Sequence, residues 1–265
     1  MLFVRTLVFN VLFLLTTATF SIAASPGLLM PFKTVVWLKQ LWLRISLGLT
    51  SHVIGIGWEE RGRENIPEGP VVFAAKHQSA WDPLGLSFIH PHCAFVLKRE
   101  LIWLPFWGWY LLRMGMIPIN RSKGIASLKK ITKAAGEMVA KGRSILIFPQ
   151  GTRTPPGAER PYLPGIAAIY KGANVPVVPV AINSGLFWPR RLMGKQPGII
   201  TVEYLEPIEP GLDRKTFIKL LAERTEPATA RLEAEALERF PYLPRPVPKA
   251  AASQAEPVNT DAQSV

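Results

Sequence analysis

Apolar and polar positions along the chain fall into three regions. Residues 1–57 contain no acidic residue and are mostly apolar. Residues 58–240 alternate short apolar runs with turn signals, and residues 241–265 are rich in Pro, Ala and Ser. The expected organisation is a membrane-anchoring helical segment over 1–57, a single folded domain over 58–240 and a disordered tail over 241–265. Within the first region, Thr6 to Ala23 form a nearly unbroken apolar run interrupted by Asn10 and a few Thr. As a helix it would be roughly 27 Å long, at the short end for crossing a bilayer. Arg5, the apolar stretch and Ser21-Ile22-Ala23-Ala24 also mimic a cleaved signal peptide. From Lys33 to Ser51 a second helix is expected, apolar except for a stripe. Lys33, Gln40, Arg44 and Ser51 fall within about 20° of one another, with Lys39 outside it. A basic stripe on a Trp- and Leu-rich helix suits a headgroup layer; the competing reading is a helix half buried in the protein's own core. Lys33, Lys39 and Arg44 follow the apolar run while Arg5 precedes it, which favours an anchor in the inner (cytoplasmic) membrane with the domain facing the cytoplasm.

In the central region the pattern shifts to brief runs that read as strands buried on both faces: 71–75, 93–97, 116–119, 145–148, 177–181 and 199–205. Helical periodicity lies between them at 104–114, 125–140 and 165–171, and a longer helix over 215–239 closes the domain. Strands alternating with helices give an α/β sheet flanked by helices, a class that places ligands beyond the strand carboxyl ends. The polar residues that follow strands are His77, Arg121 and the segment Gln150 to Arg153.

Charge narrows the classes of ligand. Of the formal net charge of +12, much lies between Arg121 and Ile200, where 13 Lys or Arg face two acids, Glu137 and Glu159. Between Thr201 and Phe240 nine acids outnumber six bases. A basic centre fits phosphate-bearing ligands or an anionic membrane surface. No nucleic-acid-binding pattern accompanies it, so nucleic acid is not an expected partner. The single cysteine, Cys93, precludes an intrachain disulfide. His90 and His92 lack a further ligand pair, so no metal site is expected.

Three segments carry candidate chemistry. The first is Lys76-His77-Gln78-Ser79-Ala80-Trp81-Asp82-Pro83. Imidazole is a base suited to taking a hydroxyl proton near neutral pH, and a carboxylate fixes its tautomer and stabilises the imidazolium. On one continuous helix, positions five apart are about 140° from each other, so His77 and Asp82 meet only if the chain between them turns. Pro83 is expected to push Asp82 out of the α region. The structural alternative makes Asp82 the N-cap of a helix whose first residue is Pro83. The second segment, Phe148-Pro149-Gln150-Gly151-Thr152-Arg153, offers backbone N–H groups, a hydroxyl and a guanidinium to a phosphate. The third, Gly115 to Arg121, ends a strand with a cation.

In order and spacing these segments resemble the glycerolipid acyltransferase family, in particular its bacterial lysophosphatidate-acylating branch. The family's His, four residues, Asp block is matched by His77 and Asp82. Its Gly-x-Ile-hydrophobic-Ile-Asp-Arg block is matched at Gly115, Ile117, Ile119 and Arg121. Its Phe-Pro-Glu-Gly-Thr-Arg block is matched except at Gln150, and its Val-Pro-apolar-apolar-Pro block by Val175 to Pro179. Pro118, Asn120 and Gln150 depart from the pattern. The resemblance covers about residues 58–210 and implies the family's mixed sheet flanked by helices. It also implies direct acyl transfer with neither metal nor cofactor. His77 would deprotonate the sn-2 hydroxyl of lysophosphatidic acid and Asp82 would orient it. Arg121, Gln150, Gly151, Thr152 and Arg153 would bind the acceptor, the two arginines holding its phosphate. The co-substrate would be acyl-CoA or acyl-ACP, with acyl carrier protein a candidate partner alongside membrane lipids.

Other readings remain open at this level. The acceptor is alternatively a lysolipid without phosphate, such as a lyso-ornithine lipid, or the chain is a non-catalytic protein that binds anionic lipid. A hydrolase is disfavoured because no Gly-x-Ser-x-Gly elbow is present. Cys93 opens an apolar strand and is expected in the core, and Ser79 is expected to be a capping or loop hydroxyl. Since an amide at position 150 keeps hydrogen bonding but does not titrate, Gln150→Glu is expected to change kcat/KM by less than about tenfold.

Overall fold

The computed structural model describes residues 1–120 and 124–246. Seven helices, α1 (Leu2–Ala23), α2 (Phe32–Leu49), α3 (Trp81–Ile89), α4 (Trp107–Arg113), α5 (Gly124–Ala140), α6 (Pro164–Ala173) and α7 (Arg214–Arg239), accompany seven strands among these residues. The strands are β1 (Ile56–Arg61), β2 (Val72–Ala75), β3 (Ala94–Lys98), β4 (Ile117–Ile119), β5 (Ile145–Ile147), β6 (Val177–Ile182) and β7 (Gly198–Tyr204). They form one sheet in the order β1-β7-β6-β2-β5-β3-β4. Every pairing is parallel except β6 with β7, so the sheet is mixed.

Strand β2 lies at the centre, between β5 and β6, and all four of its residues are buried. Alternation along it divides the core in two. Phe73 and Ala75 face a cluster containing Trp81, Leu146, Val180 and Tyr204. Val72 and Ala74 face the other, with Ile131 of α5, Ile166 of α6 and Phe217 of α7. Helices on both faces explain why β2, β5 and β6 read as continuous apolar runs.

Two elements differ from the sequence expectation. Strand β1, at the sheet edge, was not expected. Its sequence Ile56-Gly57-Trp58-Glu59-Glu60-Arg61 is half charged, as suits a strand with one open edge, and it begins two residues inside the segment assigned to the anchor. Its parallel register pairs Ile56 with Gly198 and Arg61 with Glu203. Helix α3 begins at Trp81 with Ala80 as N-cap, so Asp82 is helical rather than extended or capping. Pro83, which has no N–H, is accommodated because N–H groups in the first turn of a helix have no intrahelical partner to lose. At Gly85 the chain passes so close to the Trp81 ring that an added Cβ would lie 2.4 Å from it.

Helix α1 is long and apolar enough to cross a membrane. Phe3, Leu7, Val11, Leu14 and Leu15 are exposed, while Thr6 and Phe9 are buried against the domain. Phe9 meets the Trp188 ring edge-on at 5.2 Å. Asn10, the polar interruption of the apolar run, accepts from Lys195 Nζ at 2.8 Å and donates to the Leu192 carbonyl at 3.1 Å. On α2 the expected stripe is divided. Lys33 and Arg44 are exposed beside the 61% exposed Trp37, as a headgroup-facing stripe requires. Gln40 instead donates to the Phe88 carbonyl at 3.2 Å, and Lys39 to that of Pro91 at 2.7 Å. That side of α2 packs on α3, because peptide carbonyls at the α3 end need donors.

At the other end, packing continues past residue 240. Leu243 is buried in the first core cluster and Tyr242 donates to the Pro197 carbonyl at 2.9 Å. Residues 247–265 of the expected tail lie outside the described residues.

Candidate active site

The carboxyl end of β2 releases the chain into a turn over residues 76–80 before α3 starts. This turn brings the imidazole and carboxylate together, with His77 Nδ1 2.8 Å from Asp82 Oδ2. Asp82 is wholly buried and accepts from the Gln78 N–H at 2.7 Å, the Ser79 N–H at 2.9 Å and the Ser184 hydroxyl. Its place in the first turn of α3 adds the favourable end of the helix dipole. Ser79 Oγ accepts from the Trp81 N–H at 2.9 Å, so this hydroxyl holds the turn.

The loop after β5 lies beside that turn. Phe148 stacks on the His77 ring with centroids 4.1 Å apart, and the Thr154 N–H donates to the His77 carbonyl at 2.7 Å. Gly151 sits between them at φ +66°, in the left-handed region where a side chain is strained. Thr152 and Arg153 are half-buried on the same loop, and no ion pair joins Arg153 to a described residue. Gln150 behaves differently. It is 4% exposed, and its Nε2 donates to Glu226 of α7 at 3.1 Å. Its side chain is therefore directed at α7 and, like those of Thr152 and Arg153, is not among those lining the cavity described next. Arg121 lies outside the described residues.

His77, Phe148 and Gly151 line a cavity of about 640 Å³. The rest of its wall is mostly apolar, including Trp42 and Leu43 of α2, Leu111 of α4 and Ile131 of α5. The second N-terminal helix is thus part of the site's wall. Its volume falls within the usual range for small-molecule pockets, roughly 300–1,000 Å³, and its wall offers an alkyl chain an escape from water.

Several contributors were not identified from the sequence: Ser184, Gln78, Glu226 and Glu233. Ser184 comes from the turn after β6 and reaches Asp82 across the sheet, a contact no local pattern encodes. Glu226 and Glu233 did leave a signal. They are seven residues apart on the expected final helix, hence on one face, beside the buried Thr225, Thr229 and Leu232. Burial pushes the Glu233 carboxyl above its ordinary value, against hydrogen bonds from Gln78 and Gly157. Burial also pushes the Cys93 thiol up to about 12 and His90 down to about 4. Cys93 is therefore a core thiol, and neutral His90 a core ring stacked on Phe73 and hydrogen-bonded to Tyr204 at 2.8 Å.

The Acyltransferase family profile matches residues 58–183, which include the His77 turn and the Gly151 loop and end one residue before Ser184. The 1-acyl-sn-glycerol-3-phosphate acyltransferase of Pseudomonas aeruginosa is 40% identical over 205 residues, covering 75% of this chain and 78% of that protein. The chain belongs to this acyltransferase family. The enzyme of the same name from Limnanthes alba is 29% identical over 197 residues, covering 70% of this chain and 68% of its own length. In fold, the chain matches the crystal structure of the 1-acyl-sn-glycerophosphate (LPA) acyltransferase PlsC from Thermotoga maritima. The TM-score is 0.70 at 21% identity, over 88% of this chain and all of that one.

Proposed function

We propose that this acyltransferase moves a fatty acyl group from a thioester of coenzyme A or acyl carrier protein to the sn-2 hydroxyl of lysophosphatidic acid. The observation that carries the reading is the His77–Asp82 contact at the wall of an apolar cavity. With Asp82 accepting from Nδ1–H, the lone pair on Nε2 takes the acceptor's hydroxyl proton as its oxygen attacks the thioester carbonyl. The Asp82 carboxylate stabilises the imidazolium that forms. Collapse of the tetrahedral intermediate breaks the C–S bond and forms the ester, and the departing thiolate takes the proton from His77. The alkyl chain occupies the cavity and the acceptor's phosphate meets Arg153 and Arg121. No metal, cofactor or covalent enzyme intermediate is needed for this balance. The apolar α1 makes the chain membrane-associated, and we place it in the inner membrane with the site on the cytoplasmic side, where anionic lipid and the basic centre meet.

The test is steady-state kinetics with labelled acyl thioester and a panel of lysolipids. Lysophosphatidate is expected to be the preferred acceptor, and Arg153→Ala to raise its KM by about ten- to a hundredfold while leaving the donor KM within about twofold. A change confined to the donor KM would put the phosphate elsewhere. Preference for a lyso-ornithine lipid, or anionic lipid binding without turnover, would support the corresponding rival.

A further inference from the structure

Both sequence neighbours of His77 are held by carboxylates of α7, a helix beyond the residues matched by the family profile. Lys76 is 2% exposed, and its ammonium pairs with Glu226. A lysine so deeply buried needs a compensating charge and hydrogen bonds. On its other side, Gln78 Nε2 donates to Glu233 Oε1 at 2.6 Å.

The same two carboxylates also hold the opposite loop. Glu226 Oε1 accepts from Gln150 at 3.1 Å and from the Tyr162 hydroxyl at 2.8 Å. Glu233 Oε2 accepts from the Gly157 N–H at 2.9 Å. Burial beside Glu226 pushes the Tyr162 phenol upward, so it remains a neutral donor. Lys76 and Glu226 therefore offset each other within the Lys76, Gln150, Tyr162, Glu226 cluster, with Glu233, its carboxyl pushed up by burial, in electrostatic reach of both. Lys76 and Gln150 bind opposite oxygens of one carboxylate, immediately before His77 and Gly151 respectively.

We propose that Glu226 is a positioning residue for the transfer reaction, supplying from α7 the negative charge absent at Gln150 and locking the His77 turn to the Gly151 loop. The proposal rests on the reading of the His77 site given above. It also revises the expectation for Gln150→Glu, because the new carboxylate would lie directly against Glu226, with Lys76 on the opposite oxygen of Glu226 as the one paired cation.

The experiment is a charge exchange with each variant's folded fraction determined in detergent. Wild type, Glu226→Gln, Gln150→Glu and the double exchange Gln150→Glu/Glu226→Gln are compared by kcat per folded molecule and by Tm. Each single change leaves a buried charge unbalanced and is expected to lower kcat at least about tenfold. The double exchange restores the balance and is expected to return kcat to within about threefold of wild type. Rescue separates positioning from general support of the fold, since a purely structural role would lower Tm without changing kcat of the folded fraction. Glu226→Gln with kcat within threefold of wild type overturns the proposal. So does a double exchange that fails to fold or is no more active than Glu226→Gln. If Glu226→Gln alone does not fold, the double exchange decides the matter. A wild type that folds yet transfers no acyl group would instead remove the reading of the site.

Discussion

At the scale of single residues, Asp82 is the most constrained group in the site. It is wholly buried and takes hydrogen bonds from two backbone N–H groups, a hydroxyl and the imidazole. Of these partners, Ser184 alone comes from a distant part of the chain, the turn after β6. Ser184→Ala removes one contact to Asp82 while leaving the two backbone donors to hold its other oxygen. A hydrogen bond to a charged group contributes about 1.5–3 kcal/mol, so kcat is expected to fall about tenfold or more, with KM for both substrates nearly unchanged. The check is saturation kinetics on Ser184→Ala beside Ser184→Thr, which keeps the hydroxyl. Equal kcat for the alanine variant and wild type would remove Ser184 from the site. Spacing could reveal that His77 and Asp82 meet only across a turn; it could not reveal Ser184, because the sheet brings residue 184 to residue 82.

At the scale of elements, legibility followed the strength of the local pattern. Helices α5 and α7 and strands β2, β5 and β6 were expected within a residue or two, since period 3.6 and continuous apolar runs are strong signals. Edge strand β1 carries Glu59, Glu60 and Arg61, and helix α3 carries Pro83 and Gly85, so both lack the usual pattern. Their reasons for forming lie elsewhere: β7 supplies the partner for β1, and the Trp81 ring fills the space above Gly85. The function of α7 was hidden for another reason. Its glutamates share one face by their spacing of seven, but a charge on a helix ordinarily faces solvent, and the fold is what leaves Glu233 7% exposed and sets Glu226 against the buried Lys76.

At the scale of the whole molecule, the N-terminal helices belong to the folded unit. Phe9 enters the core of the domain, Asn10 receives Lys195, and Trp42 and Leu43 line the cavity. Removing residues 1–57 therefore strips α2 from the cavity wall and two residues from β1. That truncation is expected to release the chain from membranes and to lower its solubility, measured by sedimentation of vesicles and of the released material. Removal of Phe9 alone, a fully buried aromatic, would cost about 3–5 kcal/mol, which argues against a segment discarded on export. Terminal sequencing of native protein is expected to find the N-terminal helix retained; a mature chain starting near Ala24 would contradict the cytoplasmic placement.

The account depends above all on His77 acting as the base that carries acyl transfer onto lysophosphatidate. The direct measurement gives purified wild type and His77→Ala labelled acyl thioester and lysophosphatidate, and follows the label into products whose acyl position is determined. Wild type is expected to form phosphatidic acid with the label at sn-2. His77→Ala is expected to fall by about 10² to 10⁴ in kcat while keeping its Tm, the usual contribution of general base catalysis. Label released as free fatty acid, or more than a tenth of wild-type turnover in His77→Ala, would contradict it.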